Sequence, residues 1–289
     1  MGILKNKIDF AAIISVTRAN INGDPLNGNR PREDYDGHGI FSDVAIKRKL
    51  RNRLQDLGER IFVQSDDRSD DGNKSLKDRA DSCTELNAEI NKGKKEKGKK
   101  ADKEKCAQIA CREWFDVRSF GQVFAFKGDD VSIGIRGPVS VQQAISVSPI
   151  DIVDMQITKS VNSEPGKDSK ASDTMGMKHY VNFGLYVIRG SINCQLAEKT
   201  GFTEEDAEKL KEALCSLFEN DESSARPAGS CEVCSVYWWK HSEKTPEETS
   251  AFIQRSLDIT PKNDTPHSFD DFEINIDATK CVPEILKLI

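Results

Sequence analysis

Residues 17–53 of this 289-residue chain gather the groups that hold phosphates. The run Thr17-Arg-Ala-Asn-Ile-Asn-Gly-Asp-Pro-Leu-Asn-Gly-Asn-Arg-Pro-Arg32 mixes side-chain amides, guanidinium groups and glycines. Ser42-Asp-Val-Ala-Ile-Lys-Arg-Lys-Leu-Arg-Asn-Arg53 follows it with five basic residues in seven. Amides and guanidinium groups concentrated where a strand hands over to a helix form a ledge for a nucleic-acid backbone. Lys47 and Arg48, with Arg51 one turn on, are the candidate phosphate contacts, and the loop adds Arg18, Arg30, Arg32 and the helix-opening Ser42. Asn20, Asn22 and Asn27 are candidate partners for sugars or phosphates, and Gly23, Gly28 and Gly37 let a backbone approach closely. A basic helix face is by default a solvated surface; its place directly behind the amide-rich loop is what favours RNA.

The same region holds the groups of a metal-free ribonuclease. His38, with Tyr35 nearby, would take a 2′-hydroxyl proton while Lys47 and Arg48 stabilise charge on the phosphate. Only His38, His179, His241 and His267 are available as imidazole bases. A carboxylate metal site from Asp24, Asp34, Asp36 and Asp43 competes with the turns, caps and local salt bridges that such residues make. Cys231-Glu-Val-Cys234 supplies two of four zinc ligands, and Cys106 and Cys111 lack zinc-knuckle spacing, so the pair reads as free thiols near a strand. No metal or other cofactor is expected.

The composition provides a scaffold for these groups. With 37% hydrophobic and 31% charged residues the chain can bury a core, yet no apolar run approaches the roughly 18 residues of a membrane span. Met1-Gly-Ile-Leu-Lys-Asn-Lys7 has no secretory h-region, so the expected place is the cytoplasm, with the eight cysteines reduced. The net charge of −6 argues against nucleic acid until it is divided along the chain. Residues 42–56 hold five positive and two negative side chains, whereas residues 203–222 hold two and eight, and residues 242–289 five and ten. The overall charge thus hides a basic N-terminal ledge and an acidic C-terminal half.

Ile8, Phe10, Ala12, Ile14 and Val16 alternate with Asp9, Ala11, Ile13, Ser15 and Thr17, which predicts a first strand buried on both faces. Ser42 caps a helix whose stripe is Ile46, Leu50, Leu54 and Leu57, leaving Lys47, Arg48 and Arg51 on its polar side. From Ser65 to Lys105 eleven acidic and twelve basic residues erase periodicity, so this reads as a solvated insertion with some helix. Trp114–Phe126 and Ile133–Val141 look strand-like and carry Arg118 and Arg136, which would face RNA or a neighbouring subunit. Residues 146–177 are a second irregular stretch, with a hairpin turn expected at Pro165-Gly166. Tyr180–Ile192 is a strand, Thr203 caps a helix through Leu210, Leu214 and Leu217, and Val233–Trp239 is expected to be the last strand. Stripped of insertions, this order predicts an α+β, ferredoxin-like fold of the RNA-recognition type, with helices on one face of a sheet.

Gly23-Asp-Pro-Leu-Asn-Gly-Asn-Arg-Pro-Arg32 and Ser42-Asp-Val-Ala-Ile-Lys-Arg-Lys-Leu-Arg51 resemble the repeating backbone subunit of the type I CRISPR Cascade complex, in its type I-C form. Asp116-Val-Arg-Ser-Phe-Gly121, Ile135-Arg-Gly-Pro-Val139, Met175-Gly-Met-Lys-His-Tyr180 and Asn220-Asp-Glu-Ser-Ser-Ala-Arg-Pro227 continue the match in the same order; the charged insertion carries none. The resemblance implies a single RNA-recognition-type domain over residues 1–289, with fingers in the 64–112 insertion and a thumb-like hairpin at 150–178. It implies a non-catalytic protein that stacks head to tail in several copies along a CRISPR RNA, grips its backbone and presents bases to a target DNA strand. Its further partners would be a guide-end subunit, a large subunit and a small subunit, with no membrane. In that role a guide must be held whatever its sequence, so phosphates and 2′-hydroxyls are the groups to contact. Met175, Met177, Lys178 and His179 then become candidates for the RNA surface near displaced bases, while the adjoining Tyr180 equally suits a core strand.

Two other classes compete with this reading. One is a metal-independent endoribonuclease that processes CRISPR RNA, centred on His38. The other is a general single-strand binding protein, which would rest on aromatic stacking platforms; aromatic content is 7% and sits mostly in apparent core strands.

Overall fold

The computed structural model describes residues 2–92, 101–125, 132–158, 175–246 and 248–289. In chain order these form β1 (Ile8–Ala19), β2 (Gly23–Asp24), β3 (Arg30–Pro31), β4 (His38–Phe41), α1 (Asp43–Asp56), α2 (Leu76–Ser82), α3 (Thr84–Ile90), α4 (Lys103–Glu113) and α5 (Phe115–Phe120). Next come β5 (Gly121–Phe124), β6 (Ile133–Arg136), β7 (Val139–Val141), β8 (Ala144–Pro149), β9 (Ile152–Thr158) and β10 (Met175–Ile192). The chain closes with α6 (Cys194–Thr200), α7 (Glu204–Cys215), β11 (Cys231–Lys240), α8 (Ser250–Arg255), β12 (Leu257–Pro261), β13 (Phe272–Ile276) and β14 (Glu284–Lys287).

The main sheet has the order β14-β11-β1-β10-β8-β4, with β7 and β9 also paired to β10. As the alternating apolar run predicts, β1 is buried on both faces from Ile8 to Val16. Phe10, Ala12, Ile14 and Val16 point into a core shared with Ile46, Leu50 and Leu54 of α1 and with Leu210 and Leu214 of α7. Ala11 and Ile13 point the other way, into a core closed by Ile253 of α8, Leu257 of β12 and Phe272 of β13. Close contact across the sheet is permitted by Gly190, opposite Phe10 in the ladder, where a Cβ would fall 2.2 Å from the Phe10 ring. Phe10 in turn stacks on Trp238 of β11, with ring centroids 5.6 Å apart.

β10 spans 18 residues and does two jobs. Val181–Ile192 completes the sheet beside β1, whereas Met175–Val181 runs on beyond the end of β1 and pairs with β9 as a two-stranded ribbon. The expected Pro165-Gly166 turn lies outside the described residues.

Three expectations are corrected. The charged insertion is folded where it is described: α2, α3 and α4 pack with β5 and β6 around Phe62, Leu86, Ile109, Trp114, Phe124 and Ile133. Phe62 sets the centre of this satellite core, 4.7 Å from the Trp114 ring and 4.9 Å from Phe124. Its apolar residues are diluted by charges that neutralise one another locally, as when the buried Arg79 guanidinium binds Asp71 and the carbonyl of Phe62, so periodicity is hard to see. Secondly, Trp114–Phe120 is not strand-like: Trp114 ends α4, Phe115–Phe120 is helical, and β5–β6 belongs to the satellite unit, not to the main sheet. Aromatic β-propensity yields there to packing against Phe62. Thirdly, Val233–Trp239 is not the last strand, because β12, β13 and β14 follow. Leu257 and Ile259, and Phe272, Ile274 and Ile276, alternate with polar residues in a segment whose acidity masks the period-2 pattern. Among the described residues no helix is long and apolar enough to cross a membrane.

The Gly190 contact makes a prediction. Gly190→Ala forces its methyl group against the Phe10 ring and the Ser140 carbonyl, 2.5 Å from the Cβ position. It should cost about 1–3 kcal/mol, read as a lower thermal midpoint, while Gly201→Ala, with open space around it, carries only the strain of its positive φ.

Candidate nucleic-acid interface

The face of the sheet opposite α1 and α7 is covered by α8 and the β12–β13 hairpin, with Trp239 and Leu185 buried beneath them, so helices lie on both faces and not on one as the element order predicts. The exposed polar groups of the candidate loop and ribbon lie at the end of the sheet where β1 stops and β10 continues beyond it. Continuous burial along β1 breaks after Val16, and Arg18 is exposed with φ 52°, a left-handed conformation that costs a non-glycine residue about 1 kcal/mol or more.

The 20–32 loop folds back onto the ribbon from this point. Asn20 Nδ2 donates to the Asn29 carbonyl at 2.6 Å and lies 3.5 Å from the His179 carbonyl. Gly23 is required by the same fold, since a Cβ there would lie 2.7 Å from the Asn29 oxygen. Gly28 and Asn29 are both left-handed, at φ 58° and 59°, and a Cβ on Gly28 would sit 3.8 Å from the His179 ring. Arg30 forms an ion pair with Asp154 of β9, and His179 Nδ1 lies 2.6 Å from the same carboxylate. The hydrogen bonds from His179 and Arg30 hold the Asp154 carboxyl below the usual carboxylate range. Arg32 is paired with Asp24 at 3.1 Å, and Asn27 is exposed at the end of a single 3-10 turn.

The ladder assigns the ribbon's faces. Met175, Met177 and His179 oppose Thr158, Gln156 and Asp154 on one face; Lys178 and Met155 share the other with Gly176 and Ile157. Met155, Ile157, Met175 and Met177 are all exposed. The structure therefore brings together Asn20, Gly28, Arg30 and His179 from the candidate set, with Arg18 and Lys178 at the same end of the sheet. Asp154 is the residue that sequence reasoning missed. Only the register of two strands about twenty residues apart places it between Arg30 and His179.

The basic helix turns out differently. Ser42 is its N-cap, accepting from Ala45 N at 3.3 Å, and its own N–H donates to Asn22 Oδ1 at 2.8 Å, so both residues are occupied in starting the helix. Lys47 pairs with Asp43 at 3.1 Å. Arg48 donates to the Val63 carbonyl at 2.7 Å, and burial followed by the nearby Arg51 charge presses its pKa down. Lys49 is buried against Asp221, and desolvation lowers its pKa despite that partner. Arg51 Nε donates to Asp116 at 2.9 Å, and the Asp116 carboxylate also accepts from the N–H groups of Phe62 (2.7 Å) and Val63 (3.0 Å). Arg48 and Arg51 thus fasten the satellite unit to α1 instead of standing clear on a polar face. Arg118, on α5, is committed to Asp206 of α7 at 2.7 Å and stacks over Phe115. Arg136 is exposed on β6, in the separate two-stranded sheet with β5.

Other groups weighed for chemistry have local work. His38 Nδ1 is 2.8 Å from the Ser146 carbonyl. Asp24 accepts from Leu26 N, Asp34 accepts from Asp36 N and His38 N, and Asp43 pairs with Lys47. Arg226 pairs with Asp221 at 2.8 Å. Cys231 and Cys234 are free thiols on β11, pushed by burial up to about 11 and about 12. Among the described residues no three His, Cys, Asp or Glu side chains gather as a metal site.

Comparison with known proteins bears on what this arrangement is for. The family model for CRISPR-associated protein Cas7 matches residues 6–277. The chain is 25% identical over 227 residues to the CRISPR-associated protein Cas7 of Haloferax volcanii, an overlap of 73% of this chain and 63% of that protein, so it spans less than two thirds of that relative's length. Among solved structures it resembles a chain of a CRISPR RNA-guided surveillance complex, pre-nicking, with TM-score 0.50 and 17% identity over 80% of this chain and 75% of that one. A chain of a second CRISPR RNA-guided surveillance complex gives TM-score 0.47 at 17% identity, covering 80% of this chain and 68% of that one.

The helix contacts separate stability from binding. Arg51→Ala leaves the Asp116 carboxylate buried with only backbone donors, and should cost about 3 kcal/mol, seen as a lower midpoint in chemical denaturation. Lys47→Ala removes an exposed pair and should change stability by about 0.5 kcal/mol or less. Equal losses from the two would show that α1 does not anchor the satellite unit in this way.

Proposed function

Since the chain belongs to the CRISPR-associated protein Cas7 family, whose members are generally non-catalytic backbone subunits, we propose that it is the guide-binding backbone subunit of a type I Cascade complex, in the type I-C form. The observation that carries this reading is the junction of the 20–32 loop with the base of the β9–β10 ribbon, where Arg30 and His179 converge on Asp154. Arg18, Asn27, Arg30, Arg32, Lys178 and His179 make the guide-backbone surface, with the buried Asn20 holding the loop beneath it, and Met175 and Met177 lie on the ribbon beside it. Of the α1 residues Lys47 is the one with a displaceable partner, since its pair with Asp43 is 27% and 43% exposed.

The core is of the ferredoxin-like, RNA-recognition type in this reading. Support comes from the strand order β11-β1-β10-β8, with α1 between β1 and β8 in the chain and α6 and α7 between β10 and β11. The ribbon within residues 150–178 serves as the thumb, and the satellite unit built on the 64–112 insertion serves as the fingers. The type I-C assignment rests on the ordered motif run from Gly23 to Pro227. Several copies stack along one guide, with a target DNA strand and guide-end, large and small subunits as partners. An exposed amide-and-guanidinium surface that reads no bases suits a guide of any sequence.

Co-expression with a CRISPR array and the partner subunits, followed by size separation and RNA analysis, tests this. Wild type should carry guide-sized RNA in a large assembly. Arg18→Ala/Arg30→Ala/Lys178→Ala should lose most of that RNA while keeping its thermal midpoint within a few degrees. RNA-free monomers from the wild type would overturn the reading. Asp154→Asn takes a negative charge off the surface and should tighten guide RNA severalfold, measured by fluorescence anisotropy; weaker binding would mean that Asp154 serves chiefly to position Arg30.

A further inference from the structure

The main sheet has two outer strands, β4 and β14, and only one of them is covered. At β4 the Ile40 N–H donates to the Arg32 carbonyl and Gly39 bridges to Glu33. Among the described residues β14 has no such cover. It pairs with β11 from Glu284↔Trp238 to Lys287↔Ser235, and Leu288 N, one residue on, donates inward to the Cys234 carbonyl. Antiparallel alternation then turns Leu286 and Glu284 inward as well, and leaves the N–H and C=O groups of Ile285 and Lys287 pointing away from the sheet. Such an edge is a template for one more strand.

The side chains beside those open groups face a slot. Ile285 and Lys287 lie opposite Tyr237 and Ser235 in the ladder and, with Phe272 and Ile274 of β13, line a cavity of about 400 Å³. Its Tyr237–Ile285 end is apolar. At the other end Ser235 is 3% exposed and its Oγ has no hydrogen-bond partner, a cost to the fold that a ligand would relieve. Lys287 is exposed and, among the described residues, makes no hydrogen bond and no ion pair. Glu284, in contrast, is held by Lys211 at 2.8 Å, and Lys262 Nζ donates to the Asp270 carbonyl at 2.7 Å. Two ammonium groups thus line the slot against one side-chain carboxylate, the exposed Asp270. A lysine on an open edge disfavours the same edge of a second copy and favours a strand that brings a carboxylate. Val282, Ile285, Leu288 and Ile289 add exposed apolar surface to this edge, which marks it for a protein partner.

We propose that the β14 edge accepts one strand of a partner protein, which places an apolar side chain in the Tyr237–Ile285 end of the slot and a carboxylate at the Ser235–Lys287 end. Main-chain hydrogen bonds to Ile285 and Lys287 supply affinity, and the two side chains, at alternate positions of the added strand, supply specificity. This goes beyond guide binding and does not depend on it, since β11 and β1 stand between β14 and the strand that carries the ribbon.

The test uses the full-length protein and a fluorescein-labelled, end-blocked peptide in which threonine alternates with valine, isoleucine and glutamate, read by anisotropy. Wild type should bind it saturably, and exchange of the peptide's glutamate for lysine should weaken binding about tenfold. Lys287→Ala should weaken it about threefold, the loss of an exposed ion pair. Lys287→Pro removes an N–H that points away from β11, so it should keep the thermal midpoint of Lys287→Ala yet bind about tenfold more weakly still. Peptides N-methylated at every second amide test the same bonds on wild type: one phase should lose binding and the other keep it. Equal binding by wild type and Lys287→Pro, with both methylated peptides bound alike, would leave only a side-chain slot and overturn strand addition. Absence of saturable binding to wild type would overturn it too. Self-association of wild type in sedimentation without peptide, lost in Lys287→Pro, would give the edge to a second copy and overturn the assignment to another protein. Lys287→Pro should still retain guide-sized RNA on co-expression, so that failure of this proposal and failure of the guide-binding reading are seen separately.

Discussion

A strand hydrogen-bonded along both edges and covered on both faces leaves nothing polar for solvent, and β1 meets that condition from Ile8 to Val16. Its neighbours must then be long, and both faces of the sheet must carry a cover. α1, α6 and α7 supply one cover, and α8 with the β12–β13 hairpin supplies the other. With both faces closed, the candidate nucleic-acid surface is left to the end of the sheet. There β1 gives way to an irregular loop, and β10 continues alone into its ribbon with β9. The exposed amides and guanidinium groups lie where the backbone stops being satisfied by the sheet.

Charge follows a similar economy. The cations of α1 are drawn inward by Asp116, Asp221 and the Val63 carbonyl, because each sits beside a packed unit that needs an electrostatic tie. Asp116 is the centre of this arrangement: two backbone N–H groups and Arg51 converge on one buried carboxylate and hold the satellite core against α1. Such a carboxylate acts as a clamp, since removal of any donor leaves a desolvated charge. The net acidity of the chain is thus compatible with a local basic surface, provided that the basic residues at the sheet's end are not also consumed. Arg30 is restrained by a single exposed carboxylate, Asp154, which it shares with His179.

Much of the fold is legible in the residues. The alternation of β1, the cap and stripe of α1 and the Thr203–Asp206 capping box of α7 follow from local rules that tertiary packing reinforces. The satellite unit was not legible, because its apolar residues come from segments far apart, Phe62, Leu86, Ile109 and Phe124, and acquire meaning only in contact. The β12–β13 hairpin was hidden by its acidic composition. For the candidate site, the loop from Arg18 to Arg32 was visible as chemistry, but Asp154 was not, because a pairing register leaves no local pattern.

The sequence by itself determined the kinds of element, the order of the core strands and helices, and the segment rich in phosphate-binding groups, since periodicity, caps and turn residues act over a few neighbouring positions. Only the tertiary structure decided which of those groups remain available. The side chains of α1 look equivalent along the chain, yet Lys49 is buried against Asp221, Arg51 is clamped by Asp116 and Lys47 stays near the surface. The availability of a cation depends on which distant carboxylate or carbonyl the fold brings within hydrogen-bond reach, and that is a long-range property.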